Sequence, residues 1–270
     1  MQKPQRLPGI LLPNYHLTIY PSQGHLLWNA ARTLATYLIT NRARLTENRR
    51  VLELGAGAGL PSLVCALRGD ARTVVVTDYP EPALIENLRL NVEETQNMMA
   101  LHKPQCDIVA QGYLWGADTE SLLEHLNHEG AVSPPQEGGN KFDLLILGDL
   151  LFNHSEHTKL LLSIRRTLAR SADARAVVFF TPYRPWLLAK DLAFFELVQR
   201  VGSPPEDGLP ADMDPSEQQR EEEAKLAEDG FGPLKVDKVL EHLMDDVMFK
   251  EDRGDEMLRR TVSCCSRFVT

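Results

Sequence analysis

The strongest chemical signal in the 270-residue chain is the segment Glu53-Leu54-Gly55-Ala56-Gly57-Ala58-Gly59, placed between an apolar run and a second apolar run that starts at Leu60. Glycines at such spacing let the backbone turn with positive φ and approach a ligand closely. The dinucleotide fingerprint needs G-x-G-x-x-G, with pyrophosphate at a helix N-terminus. Here the pattern is G-x-G-x-G, and Glu53 stands directly before the strand's last leucine and first glycine. An acid is unfavourable beside pyrophosphate. It suits a ligand that carries positive charge and no phosphate, such as S-adenosylmethionine with its ammonium and sulfonium groups. Asp78 closes the next β-branched run, Thr73 to Thr77, and a carboxylate there can accept hydrogen bonds from both ribose hydroxyls. The plain structural alternative is a glycine-rich turn with a capping aspartate.

Three further segments carry candidates. Gly112-Tyr113-Leu114-Trp115-Gly116 offers Trp115 as a flat wall for a nucleobase, or else as a core residue. Gly148-Asp149-Leu150-Leu151-Phe152-Asn153 follows a continuous apolar run, where ligands sit in open parallel sheets. Asp149 can orient a substrate amine and Phe152 can pack on a lysine stem; the alternatives are helix capping and core packing. Tyr183 is a third group that can face the amine. His154 and His157 invite a metal reading with Asp149 nearby, but His-x-x-His without further Cys or His ligands makes a poor site, so no metal is expected. The sequence contains no Gly-x-Ser-x-Gly elbow and no P-loop.

The elements that must position these residues follow from periodicity. Helices are expected at 28–40, 60–67, 82–94, 157–170 and 187–200, and strands at 50–54, 73–77, 106–110, 142–147 and 176–181. Pro61 is tolerated in a first helical turn. Strands that are apolar throughout are buried on both faces, which implies a mostly parallel sheet covered by helices on both sides, an α/β Rossmann-like fold. Residues 1–27 form an N-terminal segment with one strand-like piece, His16 to Tyr20, and residues 28–270 form a single domain. That domain carries an acidic insertion at about 203–230, expected as loop and solvated helix. The stretch holding Val239, Leu243 and Val247 has amphipathic, helical spacing.

Composition narrows the function classes. The net charge of −9 argues against a phosphate-binding surface and hence against nucleic acid as partner. It is compatible with a basic protein partner. Four cysteines, none in a C-x-x-C pair, give neither a disulfide framework nor a zinc site, and point to a reducing compartment such as the cytoplasm. The apolar runs are too short to span a bilayer, and no secretion signal opens the chain.

Together these motifs resemble the seven-β-strand (class I) methyltransferases of family 16, which act mostly on lysines of non-histone proteins. The likeness is carried by Gly24-His25-Leu26-Leu27-Trp28-Asn29-Ala30, Leu52 to Gly57, Thr77-Asp78-Tyr79-Pro80, Gly112 to Gly116, Asp149 to His154, Pro182-Tyr183-Arg184-Pro185-Trp186, Glu251 to Glu256 and Leu258 to Val262. Within the family the chain is most similar to the fungal subgroup that modifies translation elongation factor 1-alpha. The resemblance implies that Trp28 touches the cofactor, that Gly55, Ala56 and Gly57 line its methionine part, and that Asp78 holds its ribose. It further implies that Trp115 and Gly148 border the adenine and that Asp149-Leu150-Leu151-Phe152 is the family's acid-x-x-aromatic substrate motif. The implied partner is a protein, elongation factor 1-alpha, methylated by a monomer at its N-terminal glycine and adjacent lysine. Both chain ends depart from the family pattern. The segment before Trp28 is short and Pro-rich, and Ser263 to Thr270 stands where an aromatic final strand is usual, which is expected to affect stability more than cofactor recognition.

The expected chemistry is direct displacement by a neutral amine, with no obvious general base. Alternatives are a small-molecule, nicotinamide-type N-methyltransferase, a non-catalytic methyltransferase fold that only binds, and a nicotinamide-dependent oxidoreductase, for which the third glycine stands one place early.

Overall fold

The structure is a computed structural model. It describes residues 29–102, 106–127, 140–201, 226 and 234–236, together with the strand backbones at 5–6, 16–17, 239–243, 261–265 and 268–269. The strands are β1 (Gln5–Arg6), β2 (His16–Leu17), β3 (Arg50–Leu54), β4 (Thr73–Asp78), β5 (Asp107–Gly112), β6 (Leu144–Gly148), β7 (Arg175–Phe180), β8 (Lys235–Val236), β9 (Val239–Leu243), β10 (Thr261–Cys265) and β11 (Phe268–Val269). The helices are α1 (Asn29–Thr40), α2 (Arg42–Leu45), α3 (Leu60–Arg68), α4 (Pro82–His102), α5 (Glu120–Leu123), α6 (His157–Thr167) and α7 (Leu188–Arg200).

Seven strands form one sheet in the order β5-β4-β3-β6-β7-β10-β9. The five from β5 to β7 are parallel, while β10 is antiparallel to both β7 and β9. This is the Rossmann-like class I methyltransferase fold. The strand order reverses between β3 and β6, so the ends of these two strands flank a crevice. One face of the sheet packs on α1, α3 and α4 through residues such as Leu34, Leu63, Val76 and Leu88. The other packs on α6 and α7 through Leu52, Leu145, Leu161 and Phe194. Alternate residues of each central strand enter opposite cores, which is why these strands are apolar throughout.

At the end of the sheet away from the crevice, Arg50 fixes β3 to β6. Its Nη2 donates to Asp143 Oδ1 at 2.8 Å and its Nε to Asp143 Oδ2 at 3.0 Å, a two-point contact in a half-buried setting.

Some boundaries differ from the sequence expectations. Helix α4 runs on to His102, beyond the expected 94, and Thr95, just past that expected end, is buried with its hydroxyl donating to Asn91 O at 2.8 Å. Asn91 Nδ2 donates to Ala58 O at 3.1 Å and so ties α4 to the glycine turn. Phe142 lies outside β6 and forms an isolated bridge with Leu168. The helical spacing of Val239 and Leu243 is overturned: Val239–Leu243 is strand β9, paired with Thr261–Cys265. The unusual tail likewise keeps a strand inside the sheet, since Ser263 pairs with Phe180 and Cys265 with Val178. Backbone pairing on both sides, with β7 and with β9, supplies the ladder there. Within the expected acidic insertion only Leu226 is described, and it is buried in the α6/α7 core. The rest of 203–230 lies outside the described residues.

Candidate active site

The parallel strands deliver their candidates to one edge of the sheet. Strand β3 ends in the glycine turn, β4 in Asp78, β5 in the Gly112–Gly116 loop, β6 in Asp149 and β7 in Thr181 and Tyr183. The turn needs its glycines: Gly55, Gly57 and Gly59 have φ of 62°, 58° and 80°, in the left-handed region that side chains resist. A Cβ on Gly55 would stand 2.5 Å from Leu150 Cδ2 and 3.2 Å from Trp115 Cζ2. The glycine turn, the Asp149–Phe152 turn and Trp115 are therefore packed against one another, although they are far apart in sequence.

Asp78 is half-buried and braces the turn. Its Oδ2 accepts the Gly57 N–H at 2.6 Å, and its Oδ1 accepts the Tyr79 N–H at 2.6 Å. The Gly112–Gly116 loop is fixed to its neighbours: the Tyr113 N–H donates to Asp78 O at 2.8 Å, and the Gly116 N–H to Ser163 Oγ at 2.8 Å. Trp115 is thus held half-buried beside Gly55.

Glu53, whose charge suggested a ligand contact, is buried at the end of β3. It is 2% exposed and its Oε2 accepts the Ser62 N–H at 3.1 Å. That N–H is one of the unpaired donors in the first turn of α3, whose cap residue Gly59 has no side chain to offer. Burial pushes the Glu53 carboxyl up to about 8, so at neutral pH it is largely protonated and supplies no counter-charge.

Asp149 has φ 55° and is 8% exposed. Its backbone N–H donates to Phe179 O at 2.7 Å. Its Oδ1 accepts the Thr181 N–H at 2.8 Å, and its Oδ2 accepts the Tyr183 hydroxyl at 3.4 Å. The Ala30 N–H, at the start of α1, is a further donor. Burial outweighs these donors and raises the carboxyl to about 7. Phe152, by contrast, is 58% exposed, so the packing alternative does not describe it. Gly148 leaves room: a Cβ there would meet only Leu34 Cδ2, at 3.8 Å. Trp28 lies outside the described residues, directly before α1.

Of the two histidines, His157 braces the Asp149–Phe152 turn and His154 pairs with α7. His157 Nε2 pairs with Leu151 O at 2.9 Å, and His154 Nε2 with Asp191 Oδ1 at 2.6 Å. Among the described residues no group of three or more His, Cys, Asp or Glu is placed to hold a metal ion. Arg184 Nη2 donates to Phe152 O at 3.0 Å. Sequence reasoning missed the roles of Leu150, Thr181, Arg184 and Asp191. Thr181 stood at the end of a predicted strand and Leu150 and Arg184 lay inside the resemblance motifs, but nothing local assigned them these contacts.

With the geometry in place, comparison with known proteins decides the family. A family model described as lysine methyltransferase matches residues 16–201. The chain belongs to this lysine methyltransferase family. It is 39% identical over 243 residues to the protein N-terminal and lysine N-methyltransferase efm7 of Aspergillus fumigatus, covering 90% of this chain and 77% of that one. It is 38% identical over 257 residues to the corresponding enzyme of Cryptococcus neoformans var. neoformans (strain B-3501A), covering 90% and 71%. Over 185 residues it is 45% identical to the enzyme of Eremothecium gossypii, covering 67% and 64%. The chain is an S-adenosylmethionine-dependent protein N-methyltransferase.

The site suits that cofactor. The turn offers glycine backbone in left-handed conformation, a half-buried carboxylate at the end of β4 and an indole against Gly55, which are the surfaces an adenosine and an amino acid moiety require. The segment 53–60 holds no lysine or arginine of the kind that holds a phosphate.

Proposed function

We propose that this methyltransferase acts on the N-terminal glycine and the adjacent lysine of translation elongation factor 1-alpha, in the cytoplasm and as a monomer. The observation that carries the reading is the packing of Gly55 on Leu150. It puts the glycine turn within van der Waals reach of the turn that bears Asp149 and the exposed Phe152. Cofactor and protein substrate then share one crevice, with an aromatic ring standing out from its rim. The protein N-terminal and lysine N-methyltransferase activity of the fungal relatives supports the same substrate class.

In this proposal Gly55, Ala56 and Gly57 line the methionine part of the cofactor, Asp78 binds the ribose, and Trp115 and Gly148 border the adenine. Trp28 contacts the cofactor, as the family resemblance implies. The bound cofactor supplies an electrophilic methyl carbon on a sulfonium. The protein's own part is to hold an uncharged amine in line with that carbon, which contributes on the order of 7 kcal/mol or more. Asp149 orients the amine and Phe152 packs against the methylenes next to it. An α-amine, with a pKa of about 7.7–8.0, is about half neutral or more at pH 8, whereas a lysine near 10.4 must first lose its proton. Asp149, raised to about 7, is a weak base placed to accept a hydrogen bond from either amine.

The test incubates the protein with isotope-labelled S-adenosylmethionine and elongation factor 1-alpha and maps the added methyl groups by mass spectrometry. Nicotinamide and an N-terminally acetylated substrate are the controls. Methyl groups on the first two residues of the protein are expected, with those on the α-amine lost after acetylation. Methylation of nicotinamide and not of the protein overturns the proposal.

A further inference from the structure

The partners of Asp149 are of two kinds. The Thr181 and Ala30 N–H groups are backbone donors, fixed by β7 and by the first turn of α1, and they leave only with those elements. The Tyr183 hydroxyl is a side-chain donor from the loop after β7. Its ring is half-buried, and its 3.4 Å contact lies at the long limit of a hydrogen bond. A carboxylate has about four acceptor positions, so two backbone donors leave room for further hydrogens.

We propose that the Tyr183 hydroxyl holds the place of the substrate amine on Asp149 and becomes the amine's second acceptor once the amine enters. This rests on the reading that Asp149 receives an amine of a protein substrate. A neutral primary amine carries two N–H hydrogens and one lone pair. Two acceptors, Asp149 Oδ2 and Tyr183 Oη, take both hydrogens and leave the lone pair directed away from them, toward the methyl carbon. A tetrahedral nitrogen bonded to both oxygens at about 2.9 Å keeps them about 4.7 Å apart. They now stand 3.4 Å apart, so the phenol retreats by roughly 1.3 Å as the amine comes between them. A long bond makes this retreat easy.

The receiver also distinguishes methylation states. Each methyl group replaces a hydrogen, so a dimethylated amine has none left for either oxygen in its neutral form. Unmethylated peptide is therefore held more tightly than dimethylated peptide, and Tyr183 supplies part of the difference.

The experiment measures binding of N-terminal Gly-Lys peptides, unmethylated and α-N,N-dimethylated, to the full chain with S-adenosylhomocysteine at about pH 9, where both amines are largely neutral. Wild type is compared with Tyr183→Phe. The variant is expected to bind unmethylated peptide about tenfold more weakly, dimethylated peptide unchanged, and S-adenosylhomocysteine unchanged. In substrate-free protein, the Asp149 carboxyl signal in carbon-13 NMR is expected to titrate at higher pH in the variant. The carboxylate has lost a donor while Thr181, Ala30 and the nearby Asp191 charge stay in place. Unaltered preference for unmethylated peptide in the variant, or an unshifted Asp149 titration, overturns the Tyr183 assignment and leaves the protein-substrate reading intact. Equal affinity of wild type for both peptides overturns it even if the variant fails to fold. Absence of any peptide binding by wild type overturns the protein-substrate reading and the assignment with it, whatever the titration shows.

Discussion

Replacing Gly55 by alanine adds one methyl group at the point where three candidate segments meet. The backbone there has φ 62°, and a Cβ in the left-handed region costs about 1–2 kcal/mol. The new methyl would lie 2.5 Å from Leu150 Cδ2, 3.2 Å from Trp115 Cζ2 and 3.4 Å from Leu150 Cδ1, so both side chains must move. Overpacking of this kind costs about 1–3 kcal/mol. The sum is roughly 2–5 kcal/mol. Gly148→Ala is the matched control one strand away. Its φ is not left-handed and its Cβ meets only Leu34 Cδ2, at 3.8 Å, an ordinary contact. Its cost is expected below about 1 kcal/mol. Urea unfolding of wild type and both variants measures the two costs directly, provided the m-values agree. Calorimetric titration with S-adenosylhomocysteine then shows whether the shifted Leu150 and Trp115 distort the site, and Gly55→Ala is expected to lose at least tenfold in affinity. A Gly55→Ala protein within about 0.5 kcal/mol of wild type, with unchanged affinity, refutes the packing argument.

Three further outcomes follow from the same geometry. Asp78→Asn removes a charged acceptor and is expected to weaken S-adenosylhomocysteine binding about tenfold or more, since hydrogen bonds to charged groups contribute about 1.5–3 kcal/mol; unchanged affinity removes Asp78 from the ribose role. Glu53 has its folded pKa raised from 4.5 to about 8 and Asp149 from 3.8 to about 7, so in the unfolded chain both ionise first. Their contribution to stability is full below those lower values and is lost as pH rises toward 7–8, at up to about 1.4 kcal/mol per pH unit for each group. Unfolding curves between pH 5 and 8 are expected to slope less in Glu53→Gln by one proton, and an equal slope contradicts the buried, neutral Glu53. Phe152→Ala, at an exposed site, is expected to change stability by less than about 0.5 kcal/mol while raising KM for the protein substrate, with KM for the cofactor unmoved; a KM unchanged for both removes Phe152 from substrate contact.

Much of the scaffold was legible because its signals are local. Apolar runs such as Leu144 to Leu147, β-branched Thr73 to Thr77 and the left-handed glycines announce strands and a turn from neighbouring residues alone. The candidate site was legible as a set of strand ends, since parallel α/β sheets bind ligands at that edge. Errors arose where burial overrode local pattern. The helix expected at 82–94 runs on to His102, with Thr95 buried past the expected end. Val239 and Leu243 have helical spacing, yet partnership with Thr261–Cys265 makes that segment a strand.

Glu53 shows the division most plainly. The sequence determined that an acid precedes the glycine turn, while the glycine spacing, Asp78 and the family resemblance together pointed to the cofactor class. Whether that acid meets the ligand depended on which side of the strand it enters and on what awaits it there. The Ser62 N–H and complete burial turn it inward and hold it protonated. Asp149 went the other way: only the tertiary structure brings Thr181, Ala30 and Tyr183, from elements distant in the chain, to its carboxylate as donors. Residue type and spacing are fixed by the chain, but dielectric surroundings and hydrogen-bond partners are supplied by tertiary neighbours, and those decide which charges exist and where they point.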